Sequence, residues 1–266
     1  MSQVVQTAPL GHYRLKQVVR SEIVKILTLP STAITLGFTV VAGLLVTGLV
    51  TNGAVYHGGF GFDATQNALT GMIVAGLTGG VFGALLITAE YSSGTIRATL
   101  AATPRRPLLL AAKMIVTAVA MVVFCEVLSF ASFFIGQAIL AGRGIPSATL
   151  ASSGALRAVA LTGLFIALLA LMSFGFGLIC RNTAAAIASF AGVVFVLPLV
   201  MHAISQADVR YLPTNILTNS IMATVPQGFG PGGTGPLSPG IGLLLMAIYA
   251  AIALAAGAML FSRRDA

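Results

Sequence analysis

Charge is what this sequence has least of. Charged residues make up 8% of the 266 positions against 57% hydrophobic ones, and the mean hydropathy is +1.00. A soluble domain carries about a quarter charged residues. Too few remain here to cover a water-facing surface, so the solvent for most of the chain is lipid and a soluble enzyme is excluded. Cysteine is almost as scarce. Cys125 and Cys180 both fall inside apolar runs, where a buried thiol is the ordinary state and a disulfide is not expected. There is no CxxC pair, no Cys/His cluster at zinc spacing, and His12, His57 and His202 are too scattered to hold a metal. The phosphate-binding pattern GxxxxGK[ST] does not occur, so the chain is not expected to bind or hydrolyse ATP alone. HExxH and GxSxG are missing too. Ser152, Ser153 and His202 do not make an intramembrane protease, because no base stands beside the serines in sequence. No internal repeat signals an inverted-repeat carrier.

What the sequence has is six apolar stretches, at about 31–51, 68–88, 108–141, 155–180, 184–204 and 240–261. A membrane-spanning helix needs about 20 such residues. The third stretch is long enough to tilt, kink or project past the bilayer. The fourth and fifth are separated only by Arg181, Asn182 and Thr183, a tight helical hairpin. The first follows a polar lead of nearly thirty residues with no A-x-A site after it, and reads as a retained helix rather than a signal peptide.

The net charge is +8. The basic residues collect in loops between apolar runs and form no stripe, so the acidic partner they imply is the anionic headgroup layer and not nucleic acid. With six spans both termini share one side. That side receives eleven of the fourteen Lys and Arg residues, and the other receives Arg143, Arg157 and Arg210. The positive-inside rule then predicts cytoplasmic termini in the cell membrane. The segment after the second span cannot cross the bilayer, because Arg97, Arg105 and Arg106 would each cost about 2.5–3.5 kcal/mol near its centre.

Residues 10–29 precede the first span. Leu15, Val18, Val19, Ile23, Ile26 and Leu27 recur at helical spacing, with Arg14, Lys16, Arg20 and Lys25 over much of the remainder. This predicts an amphipathic basic helix on the inner leaflet, bent into the first span by Pro30. The outer loop, 205–239, holds five prolines and a glycine cluster. Within it Ile216, Leu217, Ile221, Met222 and Val225 describe either a short interfacial or re-entrant helix or an ordered loop. Inside the spans, Gly76, Gly79, Gly80 and Gly83 permit close helix packing. Glu126 is the only acidic residue well inside a span, which makes it a candidate for a translocation path or for pairing with a neighbouring helix. Gln137 lies three turns along on the same face, so a polar stripe is the expectation.

The connection EYSSGTIRATLAATPRRPLLLAAK, residues 90–113, carries most information. Ser92 or Ser93 is placed to cap a short helix running to about Ala102. Thr103 is placed to cap the next, with Pro104 at its first position and Arg105 and Arg106 in its first turn. At this segment the sequence resembles the permease subunits of type-2 ATP-binding-cassette (ABC) exporters. The resemblance is carried by Glu90, Gly94, Thr95, Leu100, Pro104, Arg105, Arg106 and Lys113, and more weakly by Tyr211-Leu212-Pro213 and the tail Phe261-Ser262-Arg263-Arg264-Asp265.

That resemblance implies an all-α integral membrane protein in a single domain. Its parts are six transmembrane helices, an N-terminal interface helix, a cytoplasmic coupling helix at 90–107, and short re-entrant helices before the last span. It implies pairing with a second copy or a paralogous permease, and docking on a separate ABC ATPase subunit that holds ATP and Mg; this chain would bind no cofactor. Glu90, Tyr91, Gly94, Thr95, Arg97, Leu100, Pro104, Arg105 and Arg106 would form the coupling site, with Arg97 pairing an acidic residue of the ATPase. Outward movement of a hydrophobic or amphipathic substrate is the implied function. The rival expectations are an ion-coupled carrier using Glu126 and a membrane scaffold or immunity-type protein without transport activity.

Overall fold

The computed structural model describes residues 15–56, 61–96, 106–204, 209–224 and 236–263. Among these every element is helical. The helices are α1 (Leu15–Thr28), α2 (Pro30–Gly53), α3 (Ala64–Leu69), α4 (Gly71–Ser92), α5 (Arg106–Gly142), α6 (Ala155–Cys180), α7 (Thr183–Ala191), α8 (Leu197–Ile204), α9 (Pro213–Ser220) and α10 (Pro239–Arg263). Six spans are long and apolar enough to cross a membrane: α2, α3 with α4, α5 from Pro107, α6, Thr183–Ile204, and α10. The chain is an all-α membrane protein of multi-pass topology.

Helix α6 is the centre. It is buried over most of its length and lies against α4, α5, α7 and α10, while α2 packs outside on α4 and α5. The close approach of α4 is a matter of missing side chains. A Cβ at Gly83 would stand 2.1 Å from the carbonyl oxygen of Ala170 on α6, and one at Gly80 would stand 2.0 Å from the ring of Phe190 on α7. The glycine run thus admits one helix backbone and one aromatic ring, the packing that small residues permit where lipid supplies no hydrophobic drive.

Two spans depart from the sequence boundaries. The second begins early, at α3, because Asp63 accepts the Gln66 amide at 3.0 Å and caps it. The fifth is not a continuous α-helix. Gly192–Val196 forms a π-helical turn between α7 and α8. Its cause lies in Pro198, which has no N–H to donate to the Val194 carbonyl four residues back. Thr214 of α9 donates its hydroxyl to that carbonyl instead.

The outer loop does contain a helix. Ile216, Leu217 and Ile221 are buried. Ile216 sits where a Cβ at Gly242 of α10 would be, 2.5 Å away, and Leu217 reaches Gly76 of α4. So α9 is tucked among the spans at one end. That end is closed by polar side chains. Asp63 Oδ2 accepts the Ala223 amide at 2.7 Å, and Arg157 donates to the Ala223 carbonyl at 2.7 Å. Arg143 donates to the carbonyls of Thr51 and Ala54 at the end of α2.

Candidate functional site

The opposite end gathers the N-termini of α2, α5 and α7, the C-termini of α4, α6 and α10, and all of α1. Helix α1 does not present its lysines uniformly outward. Val18, Glu22, Lys25 and Ile26 turn toward the bundle, while Ile23, Val24 and Leu27 are exposed. That surface suits the lipid boundary. Lys25, expected on the headgroup side, is therefore drawn inward.

Its partners form a four-residue ion-pair cluster. Lys113 donates to Glu22 Oε2 at 2.7 Å and to Glu90 Oε1 at 2.5 Å. Lys25 donates to Glu22 Oε1 at 2.9 Å and to the same Glu90 oxygen at 3.0 Å. Glu22 and Lys113 are buried, Glu90 nearly so, and Lys25 is the half-exposed member. Burial works against the charge on Lys25, but its hydrogen bonds and the two carboxylates outweigh it and raise the pKa above the ordinary 10.5. Two cations and two anions in contact cancel, which is how four charges persist beside a bilayer. Glu90 Oε2 is buried with no hydrogen-bond partner among the described residues. The cluster forms one wall of a cavity of about 100 Å³, whose other walls include Leu29, Thr32, Phe82, Leu86, Thr117 and Phe174.

The cluster joins three elements. Glu90 ends the second span, Lys113 begins the third, and Glu22 and Lys25 lie on α1. Glu90, near the end of the second span, and Lys113, near the start of the third, thus share a hydrogen bond across the connection. Tyr91 is held separately, with the Arg181 guanidinium 5.4 Å from its ring centroid. Arg181 turns the α6–α7 hairpin in a left-handed conformation, φ 53°. Thr183 donates to Thr88 across the same junction.

The start of the connection differs from expectation. Ser92 is the last residue of α4 and Ser93 its C-cap; both hydroxyls donate back to the Ala89 carbonyl. They finish the span; the course of the helix expected to run to about Ala102 lies outside the described residues beyond Ile96. Gly94 follows at φ +69°, with nothing among the described residues within 4 Å of where its Cβ would be. That backbone conformation is one that favours glycine. Thr95 pairs its hydroxyl with Ser93 at 2.9 Å, and a helical stretch opens at Thr95 and Ile96. Ile96, which sequence reading passed over, is buried against Ile87, Leu110, Phe174, Leu178 and Phe261. It is a plug that fastens the connection to the bundle. Arg97, Leu100, Pro104 and Arg105 lie outside the described residues, as does the side chain of Arg106, the first residue of α5.

The other two candidates separate. Gln137 donates to the Ala64 carbonyl at 3.0 Å and accepts the Ala148 amide at 2.7 Å. Its amide is spent on holding α3 and the 143–154 loop to α5. Phe130, Phe133 and Phe134 stand between it and Glu126, so the expected polar stripe is interrupted. Glu126 lies in the seam of α5 and α6, its carboxyl against Gly163.

Comparison with known families assigns residues 57–266 to one described as Protein of unknown function (DUF2705). The chain belongs to this family. The matched stretch holds Asp63, Glu90, Lys113 and Glu126 but not Glu22 or Lys25 on α1. No curated protein matches the chain.

Proposed function

We propose that this chain is the permease subunit of an ATP-driven exporter of the type-2 ABC class, working with a separate ATPase. One observation carries the reading. Both ends of the connection between spans two and three are clamped, by Glu90 and Lys113, to α1 through Glu22 and Lys25. The clamped ends, Glu90 and Lys113, move with the spans. A push on them from a soluble partner is passed to α4, α5 and α1 together. A scaffold has no need of such a clamp at the mouth of the bundle.

In this reading the basic end faces the cytoplasm of the cell membrane, both termini included. ATP closes the partner's dimer, the connection moves as a lever, and the space between two copies of this chain, or between it and a paralogue, opens outward. Arg97 pairs with an acidic residue of the ATPase. The α9 helix, wedged between α4 and α10, closes the outer side. Glu126 favours a second reading, an ion-coupled carrier, because an acidic residue in mid-span is a proton-binding group by default. A tagged full chain purified from its native membrane separates the two. The exporter reading expects a nucleotide-binding protein to copurify in stoichiometric amount. Recovery of the chain alone, with transport that runs on a proton gradient and no ATP, contradicts it.

A further inference from the structure

Glu126 stands near the middle of its span, 13 residues from Lys113 and 11 from Gln137. At the helical rise these are about 20 Å and about 17 Å from the polar groups at the two ends. Its side chain fits a built niche. A Cβ at Gly163 of α6 would stand 2.7 Å from the Glu126 carboxyl carbon and 2.9 Å from Oε1, so only glycine leaves the carboxyl its place. The niche is not closed. Glu126 is partly exposed, and Val123 and Val127 beside it on α5 face outward.

No cation of this chain reaches it among the described residues. Arg157 comes nearest in level on α6, and its guanidinium is turned to the carbonyls of Met222 and Ala223. Lys113 belongs to the cluster at the other end. Two aromatic residues stand farther along α5. Phe130 and Phe134 follow at one and two turns on the same face of α5, their ring centroids 6.5 Å apart, Phe134 exposed. A carboxylate followed along the helix by two aromatic side chains, Phe130 partly buried on the core and Phe134 exposed, attracts an organic cation whose charge is shielded by an apolar body. An inorganic cation would lose its hydration here for a single carboxylate, and an anion is repelled.

We propose that Glu126, Phe130 and Phe134 form a binding stripe for lipophilic organic cations. Binding rests on this geometry alone; that the bound cation is cargo rests on the permease reading. Gly163 is the positioning residue, keeping the carboxyl at the seam.

The test is saturable binding of radiolabelled tetraphenylphosphonium to the purified full chain in lipid nanodiscs. Tetraphenylsilane, of the same shape and no charge, is the competitor. Tetraphenylphosphonium binds, and tetraphenylsilane does not displace it. Glu126→Gln weakens binding about tenfold, and Phe134→Ala, on an exposed residue whose loss leaves the bundle intact, weakens it several-fold. Phe38→Ala, an exposed aromatic on α2, leaves it unchanged. Equal affinity in Glu126→Gln, equal affinity in Phe134→Ala, displacement by tetraphenylsilane, or no saturable binding by the wild type each overturns the proposal. The two readings fail separately. Loss of the copurifying ATPase with binding intact removes the exporter and keeps the stripe. An ATPase partner with binding indifferent to Glu126 does the reverse.

Discussion

Lys113 lies eight residues into α5 and is buried. Its ammonium is held there because Glu22 and Glu90 meet it. Removing one partner of a buried pair leaves uncompensated charge, at a cost of about 3–5 kcal/mol. Lys113→Met is therefore expected to unfold at markedly lower temperature in detergent. Lys25→Met leaves Lys113 bridging both carboxylates and removes a half-exposed group, so its melting temperature should fall little. Equal losses in the two variants would contradict the assignment of Lys113 as the buried hub. The pH dependence of Lys25 has a definite sign. Its pKa is raised in the folded state, so its contribution is complete below the ordinary value of 10.5 and is lost as pH rises through the higher folded value. Thermal stability of wild type and Lys25→Met should thus differ by a constant amount from pH 7 to 9 and converge only in strong alkali. Convergence at neutral pH would refute the pairing. The cluster was half legible in the sequence. Glu90 and Lys113 belong to the motif of the connection, but Glu22 is a lone acid in a basic helix, and nothing in its spacing says that it faces inward. Partners 65 and 91 residues apart, as for Lys25 with Glu90 and Lys113 with Glu22, become visible only once the helices pack.

At the scale of elements, apolar runs predict spans well because bilayer thickness fixes their length. They do not predict breaks inside a span. The π-helical turn at 192–196 follows from Pro198, but where the freed Val194 carbonyl finds a donor depends on α9, twenty residues on. Thr214→Val removes that donor and leaves a buried carbonyl unmet, at about 1–3 kcal/mol. Faster hydrogen exchange in both 192–198 and 213–220 is the expected result; an effect confined to α9 would show that the two are not coupled. Asp63 was passed over for a similar reason. As a cap it is a local signal, yet its second oxygen holds the Ala223 amide 160 residues away. Asp63→Ala should release that amide to exchange while leaving the glycine-packed α4–α6 contact protected. The apolar spacing of the outer loop left a short helix and an ordered loop both open; that it is a helix, and its depth among the spans, shows only in the packed bundle. Ile216 and Leu217 seat only because Gly242 and Gly76 face them.

For the whole molecule, the even number of spans and the crowding of basic residues at one end tie the topology together. The described ends of α2, α4, α5, α6, α7 and α10 meet at that basic end as the alternation of spans requires. The polar stripe expected from Glu126 to Gln137 did not survive packing, because Gln137 is consumed by backbone groups of α3 and the following loop. What stands there instead is a carboxylate with two phenylalanines; the carboxylate is a candidate in the sequence, the phenylalanines read there as ordinary lipid-facing surface. The proposed function depends on force entering at the connection 93–105 and passing through the Glu22–Lys25–Glu90–Lys113 clamp. The most direct test is the ATPase rate of the copurified nucleotide-binding partner, alone and with the full chain in nanodiscs. The account predicts that the wild-type chain stimulates hydrolysis and that Arg97→Glu inserts, folds and binds lipid normally but does not stimulate. Stimulation by Arg97→Glu equal to wild type, or no effect of the wild-type chain on its partner, would contradict it.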